Sequence, residues 1–91
     1  MNQVIWKFEL TNKSEQTIEL PANAEILTAQ LQSGKLCIWV IVNPENEKVK
    51  RTFGVYTTGG LLPEIKRNYI GSYQLEEGQF IIHLFEHPCD K

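Results

Sequence analysis

The sequence is short of the features that announce a reaction or an address. Only two cysteines, Cys37 and Cys89, stand in its 91 residues. One lies in the most apolar segment and one near the last residue, which is not the dense, even spacing of a disulfide framework, so both are read as free thiols. The longest apolar run, Leu36 to Val42, falls far short of the roughly 20 residues that a membrane helix needs, and no membrane span is expected. Neither sign of charge dominates. Nine Lys and Arg against eleven Asp and Glu leave a net charge of −2, too balanced for a protein that holds a long nucleic acid by neutralising many phosphates. The segment Met1 to Glu9 has neither a basic start nor a sustained apolar stretch with a small-residue cleavage site. No secretion signal is therefore expected, and the cytoplasm is the expected compartment. Internal repeats and low-complexity stretches are absent.

What is present is a globular composition: 42% hydrophobic, 10% aromatic and 22% charged residues, enough apolar material for one folded domain. The reading gives a single β domain over residues 1–91, with a core of about 4–86 and a flexible tail at 87–91. A domain this small buries only roughly 60–65% of its unfolded surface, so a homo-oligomeric interface would be a natural supplement.

Period-two alternation predicts the strands. Val4 to Leu10 alternates, and Thr17 to Leu20 forms a short strand stopped by Pro21, whose ring removes a ladder donor. Around the turn-like Asn12-Lys13-Ser14-Glu15 these two predict a hairpin. Glu25 to Ser33 fits both helical and strand spacing. Strand is favoured because Ser33-Gly34 is a two-residue turn signal that leads into the β-branched and aromatic run Leu36 to Val42. That run reads as a strand covered on both faces. After the polar turn Asn43 to Glu47, Val49 to Tyr56 alternates. Thr57-Thr58-Gly59-Gly60 breaks it, and Leu61 to Asn68 is a connecting loop. Tyr69 to Leu75 and Phe80 to Phe85 make a closing hairpin around Glu76-Glu77-Gly78-Gln79. About seven short strands and no strong helix predict an all-β fold, a small antiparallel sandwich or partly open barrel.

Candidate chemistry is sparse. His83, His87 and Cys89 have the spacing His-x3-His-x-Cys, with Cys37 a further soft ligand. Cys37 is better explained as a small core residue, His83 as a member of a strand alternation and His87-Pro88-Cys89 as a frayed tail, so no metal and no cofactor are expected. A Cys37–His83 nucleophile lacks a third orienting group. The carboxylate pairs Glu45/Glu47 and Glu76/Glu77 fall in polar turns where solvation suffices. The segment singled out is Lys48 to Gly60, together with Lys66, Arg67 and Tyr69. Glycines let backbone N–H groups converge on an anion, and threonine hydroxyls add donors. An arginine forks onto phosphate and a tyrosine ring stacks on a base. Arg51, Tyr56, Thr57, Thr58, Gly59 and Arg67 are the candidate ligand contacts. The competing reading is an ordinary glycine turn with basic residues guarding a sheet edge. A helix after the glycines, which a Walker loop or dinucleotide fingerprint requires, is not predicted.

Several pieces taken in order carry a resemblance: Ile5-Trp6-Lys7-Phe8, Thr17 to Ala24, Cys37-Ile38-Trp39-Val40, Arg51-Thr52-Phe53 with Tyr56-Thr57-Thr58-Gly59, Tyr69-Ile70-Gly71-Ser72 and His83-Leu84-Phe85-Glu86. From about Ile5 to Glu86 the chain resembles a family of short β-rich proteins of unknown function encoded by tailed phages and prophages. Asn23 stands where glycine is expected in the Pro-Ala-x-Ala turn, a substitution Asn tolerates because it accepts positive φ. The resemblance implies a phage source and the bacterial host cytoplasm as working compartment, and it transfers no functional residue. By analogy of context, small phage proteins often act against the host. The expected function is thus a non-enzymatic sponge that sequesters a host nucleotide immune signal, a cyclic oligonucleotide or an ADP-ribose derivative, in a homo-oligomer. The alternative is a protein-interaction module, an inhibitor of a host protein or a minor phage structural component. It would use a strand edge or an aromatic patch from Trp6, Phe8 or Tyr73.

Overall fold

The computed structural model describes residues 2–11, 13–75 and 80–88. Seven strands follow in chain order: β1 (Val4–Glu9), β2 (Glu15–Pro21), β3 (Glu25–Gln32), β4 (Lys35–Val42), β5 (Lys48–Thr57), β6 (Asn68–Leu75) and β7 (Phe80–His87). They form two antiparallel sheets, one of order β1-β4-β3 and one of order β2-β5-β7-β6. The sheets do not close into a barrel, and the fold is the expected all-β sandwich. Among the described residues no helix is long and apolar enough to cross a membrane.

The core follows from alternation. Leu36, Ile38, Val40 and Val42 turn inward from β4 and meet Phe53 of β5, Ile82 and Leu84 of β7 and Leu20 of β2. Six of these are almost wholly shielded from solvent, and each such side chain contributes about 1.5–3 kcal/mol when fully buried. Trp6 and Phe8 of β1, Ile18 of β2 and Tyr73 of β6 pack around the rim and remain partly exposed.

The segment with two possible periods is a strand. Register fixes the reason: Gln32 opposes Lys35 across Ser33-Gly34, and both turn residues have positive φ, 52° and 79°, as a type I′ hairpin demands. A bulge at Leu27 separates the Ile26 and Thr28 pairings and accounts for the mixed spacing there. Asn23 has φ 65°, the left-handed conformation its position was expected to require.

Three expectations need correction. The predicted hairpin of the first two strands does not form, because β1 joins β4 in one sheet and β2 joins β5 in the other. Leu10 still belongs to the first layer, its N–H donating to the Leu36 carbonyl, and Ser14 already belongs to the second, its carbonyl accepting from the Val55 N–H. The apolar strand β4 is not covered by a layer on both sides. Of its outward residues, Trp39 and Ile41 are half-exposed while Cys37 is buried, and the neighbouring Lys7 Nζ donates to Gln32 Oε1 at 2.6 Å. Finally, His87 is no frayed tail. It ends β7, opposite Thr52, and is buried. The turn at Glu76 to Gln79, Cys89 and the rest of the expected tail lie outside the described residues.

Candidate functional site

The four-stranded sheet has one face in the core and one face turned away. Register assigns the outward face: Glu15 and Thr17 of β2, Thr52, Gly54 and Tyr56 of β5, His83, Phe85 and His87 of β7, and Tyr69 and Ser72 of β6. Both histidines and three of the aromatic rings therefore share one surface.

Phe85 is its centre. Tyr56 and Tyr69 meet it edge to face from either side, with ring centroids 6.0 Å and 5.4 Å away, distances at which such pairs attract. The Arg67 guanidinium lies over the Phe85 ring, 5.6 Å from its centroid, within cation–π range. Arg67 is held there by its own loop, since Nη1 donates to the carbonyls of Pro63 and Ile65, both at 2.8 Å. Among the described residues its Nε and Nη2 donors have no hydrogen-bond partner.

The strand order puts that loop in place. Both β5 and β6 run antiparallel to β7, hence parallel to each other, so the connection at residues 58–67 must travel the length of the sheet. The inner face is occupied by the other sheet, and Arg67 over the outward Phe85 shows that the connection crosses the outer face. Grooves flank this strap. One of about 850 Å³ lies between Ile65 and Lys66 on the strap and Thr17, Lys50, Thr52 and His87 beneath it. Another of about 700 Å³ runs along Arg67, Tyr69 and Phe85.

Two hydrogen-bond systems order the surface. His83 Nε2 lies 2.7 Å from Thr58 Oγ1 and its Nδ1 lies 2.7 Å from Ser72 Oγ, which in turn lies 2.7 Å from the Tyr69 hydroxyl. One imidazole thus links three hydroxyls, donating through one ring nitrogen and accepting through the other when neutral. Tyr56 places its hydroxyl 2.9 Å from His87 Nε2, while His87 Nδ1 lies 3.4 Å from Glu15 Oε2. The Tyr56 phenol lies above its ordinary pKa, chiefly because burial disfavours the phenolate and secondarily because of the Glu15 charge, with Arg67 opposing. Gly54 makes the Tyr56–His87 contact possible. A Cβ there would stand 2.6 Å from the Tyr56 hydroxyl and 2.7 Å from His87 Nε2.

The residues expected to contact a ligand divide. Tyr56, Thr58 and Arg67 come together on this face. Thr57 turns the other way, into an apolar cavity of about 380 Å³ at one mouth of the sandwich, lined by Leu31, Leu36, Val55 and Ile82. Gly59 takes φ 84° in the turn that closes that mouth. Arg51 is at the opposite mouth and is occupied internally. Its Nε and Nη2 fork onto Glu86 at 2.6 and 2.9 Å, and Nη1 donates to the Ala24 carbonyl at 2.6 Å. Phe85, His83, Ser72 and His87 are the members that sequence reasoning missed. For the three on β7 the signal was the alternation His83, Phe85, His87; Ser72, on β6, joins them only through the strand pairing.

Cys37 and His83 lie on opposite outer faces of the sandwich, so they do not form a nucleophile and base. Among the described residues no three His, Cys, Asp or Glu side chains converge as metal ligands would.

As a class, this is an all-β sandwich of two antiparallel sheets whose four-stranded sheet carries an aromatic, hydroxyl-rich outer face beneath the strap that holds Arg67. The chain itself belongs to a family described as a domain of unknown function, DUF7352, whose profile spans residues 1–91. No curated protein and no solved structure matches it.

Proposed function

We propose that this chain is a binding protein for a nucleotide, and that the ligand lies on the outer face of the four-stranded sheet. The observation that carries the reading is the Arg67 guanidinium spread over Phe85 between Tyr56 and Tyr69. An exposed aromatic ring offers a base a stacking surface irrespective of its sequence. Free donors of Arg67, with Lys50 and Lys66 along the neighbouring groove, suit phosphate oxygens. The hydroxyls held by His83 supply acceptors and donors for a ribose.

The resemblance to proteins of tailed phages supports a further step. In that setting the protein sequesters, in the bacterial host cytoplasm and without turnover, a nucleotide signal made by host immunity, a cyclic oligonucleotide or an ADP-ribose derivative. Native mass spectrometry with a mixed panel of such nucleotides tests both steps. The expected result is an intact nucleotide retained by the wild type and lost in Tyr69→Ala and Arg67→Ala. Loss of one stacked base costs about 1–3 kcal/mol, roughly 5- to 150-fold in affinity. A wild type that retains nothing overturns the reading, and a converted nucleotide makes the His83 hydroxyl chain a reaction centre.

The alternative of a protein-interaction module has a specific observation in its favour, the unpaired edge of β1 beside half-buried Trp6 and Phe8.

A further inference from the structure

Among the described residues β1 ends its sheet on one side and pairs only with β4. The Leu10 N–H donates to the Leu36 carbonyl and continues the β1–β4 register, in which Val4 opposes Val42 and Phe8 opposes Ile38. Because backbone groups alternate sides along a strand, the even-numbered residues Val4, Trp6 and Phe8 spend theirs on β4. Ile5, Lys7 and Glu9 turn their N–H and C=O groups to the free edge. Apart from the charges of Lys7 and Glu9, that edge has none of the devices that usually blunt one: no proline, no glycine and no bulge interrupts Val4–Glu9. Behind it Trp6 and Phe8, with ring centroids 6.2 Å apart, are only half-buried, and Ile5 is 59% exposed.

We propose that a second copy of this chain pairs with this edge, β1 against β1, antiparallel about a two-fold axis at Phe8. Charge selects both occupant and register. Residues that face each other through hydrogen bonds on the new edge must come from the outward-turned set Ile5, Lys7 and Glu9 of each copy. With Phe8 opposite Phe8 of the partner subunit, Lys7 opposes Glu9 of the partner subunit and the reverse pair forms by symmetry. Opposite charges directly across a strand pair attract. The neighbouring registers place Lys7 against its own copy, or Glu9 against its own copy, and like charges there repel. The resulting edge joins two three-stranded sheets into one of six strands and brings Trp6 and Phe8 of both copies together on the core side.

Light scattering after size exclusion tests the proposal with charge reversals. Wild type should run as a dimer, and Lys7→Glu and Glu9→Lys should each run as monomers. The doubly reversed chain, Lys7→Glu with Glu9→Lys, should recover the dimer. Recovery cannot come from the contacts each residue makes within its own chain, Lys7 with Gln32 and Glu9 with Lys35, because the swap restores neither. A second variant, Phe8→Cys with Cys37 and Cys89 replaced by Ser, should oxidise to a covalent dimer. Residues opposed without hydrogen bonds have Cα atoms about 4.5 Å apart, inside the range a disulfide spans, and Trp6→Cys in the same background should not cross-link. A monomeric wild type at every concentration overturns the proposal. So does a dimer indifferent to both reversals, or an edge that pairs only with a strand from another protein.

Discussion

Arg51 shows how a side chain that looks available in a sequence is spent by the fold. It lies between the layers at one mouth, on the same side of β5 as Phe53, and there its three nitrogens serve Glu86 and the Ala24 carbonyl. The pair is only 20% and 15% exposed, so removing one partner strands a charge that water reaches poorly. Arg51→Ala is expected to lower unfolding stability by about 3 kcal/mol in urea titration, without loss of nucleotide affinity in the fraction that stays folded. Tyr73 supplies a pH-dependent counterpart. It arches over Gly71 on the core side, where a Cβ would collide with its hydroxyl, and burial, with Tyr69 adding to it, pushes its phenol up to about 12. The folded state therefore holds this proton more tightly than the unfolded chain. Stability from this group is complete below pH about 10, the unfolded phenol's value, and drains away as pH rises toward 12. Alkaline titration of Tyr73→Phe, followed by circular dichroism, should show that portion of the loss removed.

At the scale of elements, the β3–β4 hairpin is the best-specified piece, and its turn can be tested directly. Ser33 pays conformational strain at φ 52° that Asn tolerates better, while Gly34 at φ 79° has open space around it. Ser33→Asn is expected to raise the melting temperature slightly and Gly34→Ala to cost about 1 kcal/mol, measured by thermal unfolding. This hairpin was legible because its information is local: a two-residue turn flanked by β-formers, with register following from the turn. The same locality revealed all seven strands, whereas the positive φ of Asn23 was implied by the family resemblance. The pairing of β1 with β4 was not legible, because Asn12 to Glu15 is as good a turn between layers as within a sheet, and only tertiary packing of Trp6, Phe8 and Ile18 separates the two. The candidate site was half legible for a related reason. Tyr56, Thr58 and Arg67 could be picked by residue type. That they converge on Phe85, while Arg51 does not, depends on strand order, which places β7 between β5 and β6.

For the whole molecule, the two sheets interleave along the chain. The three-stranded sheet uses segments that end with Val42, but β2 is embedded among them and, among the described residues, pairs with Lys48–Thr57 alone. On a ribosome, a nascent chain can zip β3 to β4 and add β1 before β5 has left the exit tunnel. During that interval the strand Glu15–Pro21 hangs from a half-made protein with Leu20 uncovered, and only the emergence of Lys48–Thr57 gives it a sheet to join.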